Sequence, residues 1–361
     1  MTIRVLHVVG KMTRGGQETH LMDIYRHIDR EKVQFDFIVH TPEKGEYDDE
    51  VRALGGKIFV VEKINQGIIR YIRSIRKIVK DNHYQIVTCH TAHAAGFIVL
   101  LAAKQGGAPV RIAHSHNTSF GQPFLHKICI PLLNHFATDR FAVSVPAGIY
   151  MFGSKKPFTV INNAVDPAAF SFDKEKREKI RARFGFQNQL VLGHVGRMTK
   201  QKNHSFLLDI FAAVHEKDPD ARLLLIGIGE LESEIREKAE HLGLINHISF
   251  LGSRPDVADL MQAMDVFVLP SIYEGLGRVA IEAQASGLPC VLADTIPPEA
   301  RIVSEITVLS LRDTPQKWAE AIFSCRGKER KSGAEEIRRA GFDIVKETEE
   351  LQNFYLQKVN S

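Results

Sequence analysis

Apolar and polar positions along this chain fall into two alternating patterns. Short runs rich in β-branched residues give way to stretches in which apolar side chains return every third or fourth position. Residues 3–9, 34–40, 57–61, 85–90, 110–114 and 140–143 are runs of the first kind and read as strands. Residues 18–27 and 68–80 are of the second kind and read as helices, the latter with Ile68, Ile72, Ile75 and Val79 on one stripe. Strands that alternate with helices predict a parallel sheet covered on both faces.

The pattern breaks near Thr159–Val160, where a short strand leads into a polar turn and the charged stretch 173–183. That stretch reads as the crossover to a second domain. A new series opens at 190–197 and continues through 222–226, 247–251, 266–269, 289–293 and 306–309, with a helix at 205–214. The expected architecture is α/β, with two doubly wound domains in tandem. The length of 361 residues also exceeds what one ordinary core organises.

Composition narrows the class. A chain that is 44% hydrophobic and 25% charged has the balance of a globular protein. Its four cysteines, Cys89, Cys129, Cys290 and Cys325, show no CxxC pairing, which argues against a zinc site or a disulfide framework and suits a reducing compartment. The first residues read as a strand, not a signal peptide, and no run approaches the ~20 apolar residues of a membrane span. The expected location is the cytoplasm. Charge divides unevenly: residues 1–170 hold 21 Lys and Arg against 14 Asp and Glu, whereas 171–361 hold 26 against 29. A basic first half and a slightly acidic second half suit different partners.

The most informative chemistry lies between 265 and 285. A buried-strand pattern ends at Pro270-Ser271, passes through Glu274-Gly275-Leu276-Gly277, and enters a helix that carries Glu282. Two glutamates eight positions apart are commonplace. Placed on a Gly-rich loop at the carboxyl end of a parallel strand and in the helix after it, they suit hydrogen bonding to the paired hydroxyls of a sugar nucleotide. The loop after residue 195 adds Gly196, Arg197 and Lys202, whose cations can neutralise a diphosphate. Gly227-Ile228-Gly229 could place backbone N–H groups near a phosphate, or simply form a tight turn. Gly15-Gly16 joins the first strand to its helix and would let a ligand approach the backbone.

His114, Ser115, His116 and Asn117 end one strand at the same sheet edge, and His90 and His93 end the one before. Without carboxylate or thiolate partners nearby, a polar sugar-binding rim fits these histidines better than a metal centre. Arg70, Arg73, Arg76, Lys77 and Lys80 form a basic face on the 68–80 helix, and residues 123–133 are apolar with scattered cations. Together they suit contact with an anionic membrane surface. Nothing in the chain accompanies that charge with a nucleic-acid motif.

These residues, in this order, resemble the family 4 glycosyltransferases over nearly the whole chain, most strongly at 190–300. Gly15-Gly16-Gln17-Glu18 resembles the amino-terminal Gly-Gly-x-Glu of that family, Gly196-Arg197 with Lys202 its phosphate clamp, and Glu274 and Glu282 its paired glutamates. The resemblance implies the GT-B fold: two Rossmann-like domains facing a central cleft, with an acceptor domain at 1–165, a donor domain at 166–341 and a final helix at 342–361 returning to the first. It implies a retaining, metal-independent enzyme with no cofactor, moving sugar from a UDP-sugar to a saccharide or lipid-linked acceptor in exopolysaccharide assembly, as a peripheral protein on the inner face of the membrane. Arg197 and Lys202 would stabilise the leaving diphosphate, Glu282 would hold the ribose, and Glu274 would touch the donor sugar. The backbone of Gly275, Leu276 and Gly277 would line the sugar-phosphate pocket, and Ser253-Arg254-Pro255 would border the base. One histidine, His114 or His116 with His116 favoured, would approach the donor sugar. A sugar-nucleotide epimerase or a non-catalytic sugar-nucleotide sensor are the rival readings, and transfer of sugar to an acceptor separates them. A dehydrogenase is disfavoured because neither domain opens with an intact G-x-G-x-x-G.

Overall fold

The structure, a computed structural model, describes residues 2–116 and 123–360; Asn117 lies outside the described residues. The chain divides into two compact units, Met1–Ala164 with Ile344–Ser361, and Val165–Asp343.

The first unit is built on seven strands: β1 (Ile3–Val8), β2 (Val33–Val39), β3 (Ile58–Val60), β4 (Ile86–Thr91), β5 (Val110–Ser115), β6 (Asp139–Ala142) and β7 (Thr159–Val160). Their order is β3-β2-β1-β4-β5-β6-β7, and every neighbouring pair is parallel. The order reverses direction between β1 and β4, the point at which open α/β sheets form a crevice at the carboxyl ends of their strands. The register aligns His7 with Thr88, and His90 with His114. Because side chains alternate along a strand, His7, Thr88, His90 and His114 share one sheet face. On the other side of the chain's path, helix Ile68–Asp81 buries Tyr71, Ile75 and Val79 and turns its cations outward.

The final helix, Ile344–Asn360, completes this unit. Leu351 and Tyr355 enter the core around Phe35 and Phe37. Glu347 is hydrogen-bonded to His20 in the buried interior, and the Gln352 side-chain oxygen accepts the Asp29 N–H at 2.9 Å. These partners lie 327 and 323 positions apart in the sequence.

The second unit repeats the plan with β8 (Val191–Val195), β9 (Arg222–Ile226), β10 (Ile248–Phe250), β11 (Val266–Leu269), β12 (Cys290–Ala293) and β13 (Ile306–Leu309). The order is β10-β9-β8-β11-β12-β13, again parallel throughout. Strands such as Val266–Leu269 are buried on both faces, hence their uninterrupted apolar runs. The direction reverses between β8 and β11.

One expectation is corrected. The charged stretch 173–183 is no crossover; it contains a helix, Lys174–Arg183, inside the second unit. Asp173 caps it by accepting the Lys176 N–H at 3.0 Å. Arg177 and Arg181, one turn apart, both reach Asp265, and Arg181 also donates to the carbonyls of Ala263, Gln187 and Gln189. The charge of this stretch goes to Asp265 and to carbonyls at the entry to β8 and β11. The crossover lies earlier, at Val165, whose N–H donates to the Phe342 carbonyl at 3.2 Å beside a parallel bridge to Asp343.

All four cysteines are free and buried. Among the described residues, no helix is long and apolar enough to cross a membrane.

Candidate active site

In the second unit, the loops that follow β8 and β11 meet at the point where the strand order reverses. They are stitched together by backbone and amide groups. Ile272 donates its N–H to the Gln201 carbonyl at 2.8 Å, and Asn203 Nδ2 donates to the Pro270 carbonyl at 3.1 Å. Asn203 takes the left-handed conformation, φ 57°, to cap helix His204–Lys217 while facing back across the loop.

This stitching brings Lys202 and Glu274 together. Lys202 Nζ lies 2.7 Å from Glu274 Oε1, with the carboxylate side chain only 7% exposed. Gln201 Nε2 donates to the Tyr273 carbonyl at 3.0 Å and approaches Glu274 Oε2 at 3.4 Å. Arg197, on the rim of the same loop, is exposed. The site therefore offers one cation already balanced by a carboxylate and a second turned to solvent.

The backbone of the β8 loop is braced from behind. Gly227 sits at φ 135°, and a Cβ there would come within 2.1 Å of the Gly196 carbonyl oxygen. Met198 donates its N–H to the Ile228 carbonyl at 3.1 Å. Of the two readings of Gly227-Ile228-Gly229, the structure supports the tight turn: its glycines let one loop lie against the next. Gly277, at φ 86°, ends the β11 loop and caps helix Arg278–Ala285, leaving the N–H groups of the first turn directed toward the loop. Leu276 is buried, while Gly275 is partly accessible. Glu282 is nearly buried and pairs at 3.1 Å with Arg278, one turn earlier. Arg254 follows β10 and forms a two-pronged pair with Asp256 at 2.7 and 2.6 Å.

In the first unit, Gly15 and Gly16 begin helix Gly16–His27 after the β1 loop, with open space on the side-chain side of Gly16. At the carboxyl ends of β4 and β5, His90, His114 and His116 bring ring nitrogens within 4.8 Å of one another. His90 bridges two others: its Nε2 is 3.0 Å from His7 Nδ1, and its Nδ1 is 2.9 Å from His116 Nε2. His114 Nε2 and His116 Nδ1 are buried without a hydrogen-bond partner. Burial pushes His7 and His116 down to about 3, and holds His90 and His114 well below the ordinary imidazole range. All four are neutral rings at pH 7.

Sequence reasoning named Lys202, Glu274, Arg197 and the glycines around them. It missed Gln201, Asn203, Arg278 and His7. Arg278 carried a signal, since it stands four residues before Glu282 at the start of a helix. His7 carried none, because its partner is 83 positions away.

Residues 14–169 match the family described as Glycosyltransferase Family 4, and residues 176–324 match Glycosyl transferases group 1. A relative from Bacillus subtilis (strain 168) that bears the name glycosyltransferase EpsF is 37% identical, across 98% of this chain and 96% of its own length. The Staphylococcus aureus capsular polysaccharide biosynthesis glycosyltransferase CapH is 24% identical over 99% of both chains. Among solved structures, Anabaena HepE in complex with UDP and glucose superposes with a TM-score of 0.79 at 22% identity, covering 98% of this chain and all of that one. WaaG, a glycosyltransferase involved in lipopolysaccharide biosynthesis, gives 0.71 at 17% identity, covering 97% and 99%. At these identities the structural likeness speaks for the fold, which is GT-B. Sequence similarity that spans nearly the whole of both chains says more: the protein belongs to glycosyltransferase family 4.

Proposed function

We propose that this glycosyltransferase is retaining, needs no metal ion or cofactor, and moves a sugar from a UDP-sugar to a saccharide or lipid-linked acceptor in the assembly of a cell-surface polysaccharide. The observation that carries the reading is the pairing of Lys202 with Glu274 beside the exposed Arg197. Two cations at a strand-order reversal, next to helix N–H groups, suit a diphosphate, and a carboxylate held at the same spot suits sugar hydroxyls. The UDP in HepE, and the names of EpsF and CapH, support the donor and the pathway class.

In this reading the diphosphate docks between Arg197, Lys202 and the Gly196 backbone, with Gly275, Leu276 and Gly277 along the sugar-phosphate. Glu282 takes the ribose, the Arg254 loop borders the base, and Glu274 contacts the donor sugar. The acceptor hydroxyl attacks from the face the nucleotide leaves, while the two cations stabilise the charge that develops on the departing phosphate. The first unit, with Gly15, Gly16, His114 and His116, takes the acceptor and the sugar edge of the donor. The enzyme works on the cytoplasmic face of the membrane, where the cations of Ile68–Asp81 meet anionic headgroups.

The test is transfer from UDP-sugars to lipid-linked and free saccharide acceptors, followed by release of UDP and by the anomeric configuration of the product. Arg197→Ala should lower kcat/KM by about two orders of magnitude and weaken UDP binding, with the melting temperature unchanged. Unaltered turnover in that variant refutes its assigned role. An inverted product refutes the retaining course.

A further inference from the structure

The histidines of the first unit form a line, not merely a cluster. His7 Nδ1 contacts His90 Nε2 at 3.0 Å, and His90 Nδ1 contacts His116 Nε2 at 2.9 Å. The line has two free ends, His7 Nε2 and His116 Nδ1, both buried and without a hydrogen-bond partner. The sheet register makes the line: His7 stands opposite Thr88, His90 opposite His114, and His116 two residues further on.

We propose that His7 and His90 are positioning residues that fix the tautomer and ring orientation of His116 through this chain of imidazoles. The argument is a count of protons. Each neutral imidazole carries one N–H, and each contact needs one donor and one acceptor. If His7 donates from Nδ1, then His90 must donate from Nδ1, and His116 is left with its proton on Nδ1. If His7 holds its proton on Nε2, then His90 and His116 must do the same, and His116 Nδ1 is a bare lone pair. Mixed arrangements break a contact. The three rings therefore share one tautomer, and the choice is made at His7.

The surroundings of His7 decide it. Its ring lies 4.3 Å from Phe35, centroid to centroid, at 60°, and 5.6 Å from Phe37. A buried lone pair gains nothing from the negative face of an aromatic ring, whereas an N–H gains a weak donor contact. An N–H at His7 Nε2 is therefore favoured, and with it the Nε2–H form of all three rings. His116 is a neutral ring clamped by His90, with Nδ1 an acceptor and the ring held in one orientation.

A metal ion among His90, His114 and His116 is the competing explanation of the unpartnered nitrogens. Tetrahedral coordination with bonds of 2.0–2.1 Å spaces ligand nitrogens by about 3.4 Å. The 2.9 Å between His90 and His116 is a hydrogen-bond distance, shorter than a tetrahedral ion would set between its ligands.

The kinetic consequence rests on the reading of His116 as a donor-sugar contact; the tautomer rule does not. The experiment is a long-range nitrogen–proton correlation spectrum of the full chain labelled at histidine nitrogen, recorded with and without EDTA and assigned with His7→Phe, His90→Gln and His116→Gln. All three rings should show the Nε2–H form, unchanged by EDTA, and His7→Phe should release His116 into a mixture of forms. Different tautomers on any two rings, a spectrum altered by EDTA, or an unmoved His116 signal in His7→Phe would overturn the proposal; the wild-type spectrum alone decides the first two. In turnover, His7→Phe should lower kcat about tenfold with KM for the UDP-sugar held within about twofold, and His90→Gln should retain more activity than His90→Ala. A rise in KM alone would overturn the positioning role. Wild-type protein that transfers no sugar, yet shows the shared tautomer, would sink the transferase reading and leave the chain of imidazoles intact.

Discussion

The proposed donor site turns on the pair formed by Lys202 and Glu274. Each charge neutralises the other at 2.7 Å in a nearly buried position. Leaving one such partner alone there is costly, so neither can be spared until a ligand replaces it. Arrival of a diphosphate would draw Lys202 away and free Glu274 for sugar hydroxyls. Glu274→Gln tests this exchange. It removes the competitor for Lys202, so calorimetry should find UDP bound at least as tightly as in the wild type, while kcat falls about a hundredfold. Weaker UDP binding would show that Glu274 supports the nucleotide and not the sugar. At this scale the sequence pointed to the two loops that the structure brings together, which carry Gly196, Arg197, Lys202, Glu274 and Gly277. It was silent on Asn203 and His7, whose partners come from another strand or loop.

Among the elements, the helices were less legible than the strands. Fully buried parallel strands leave uninterrupted apolar runs, as at 266–269, and 222–226 and the partly exposed edge strand 306–309 also stand in the structure as their sequence predicts. Helix Lys174–Arg183 was missed because its buried face is made of arginine, not of leucine. Arg181→Met removes its donors to Asp265 and to three carbonyls, and should cost about 3 kcal/mol of unfolding free energy, measured by urea titration. A change below about 0.5 kcal/mol would mean that the helix is held by its apolar contacts. Helix Pro123–Phe136 poses the opposite case. It buries His126, Cys129 and Leu133, yet leaves Phe124, Leu125, Ile128 and Leu132 exposed. Phe124 is 78% exposed, unusual for so large an apolar ring. Co-sedimentation with vesicles rich in phosphatidylglycerol should fall several-fold in a Phe124→Ser, Leu125→Ser double variant, and again when Arg73 and Arg76 become glutamine. Equal binding to neutral phosphatidylcholine would leave the cations without a role.

For the whole molecule, the buried histidines set the response to acid. His7 and His116 are pushed by burial to about 3 and His204 to about 4, while His90, His114 and His194 are held well below the ordinary 6.5. A base whose pKa is lowered on folding binds fewer protons in the native state than in the unfolded chain. Unfolding then takes up protons, and stability falls as pH drops below about 6.5, toward the folded values near 3 and 4. Each such ring contributes a slope of about 1.4 kcal/mol per pH unit once the unfolded chain is protonated. Melting temperatures measured from pH 7.5 to 5 should therefore decline steeply below 6.5, and His204→Gln should soften the decline. A flat profile would mean that water or a counter-charge reaches these rings. Such a property belongs to the assembled fold; the sequence lists 16 histidines and does not say which are dry.

The place where the chain enters and leaves its second unit has a further consequence. Val165 and Asp343 lie side by side, joined by a parallel bridge and by the Val165 N–H on the Phe342 carbonyl. The second unit is thus a cartridge whose two covalent leads emerge at one socket. Recombination between relatives needs only that socket to match, so the whole second unit can be exchanged in a single event while the remaining sheet and its returning tail keep their own core. If that unit reads the donor as proposed, a lineage built this way can diversify its sugar by swapping blocks, without redrawing either fold.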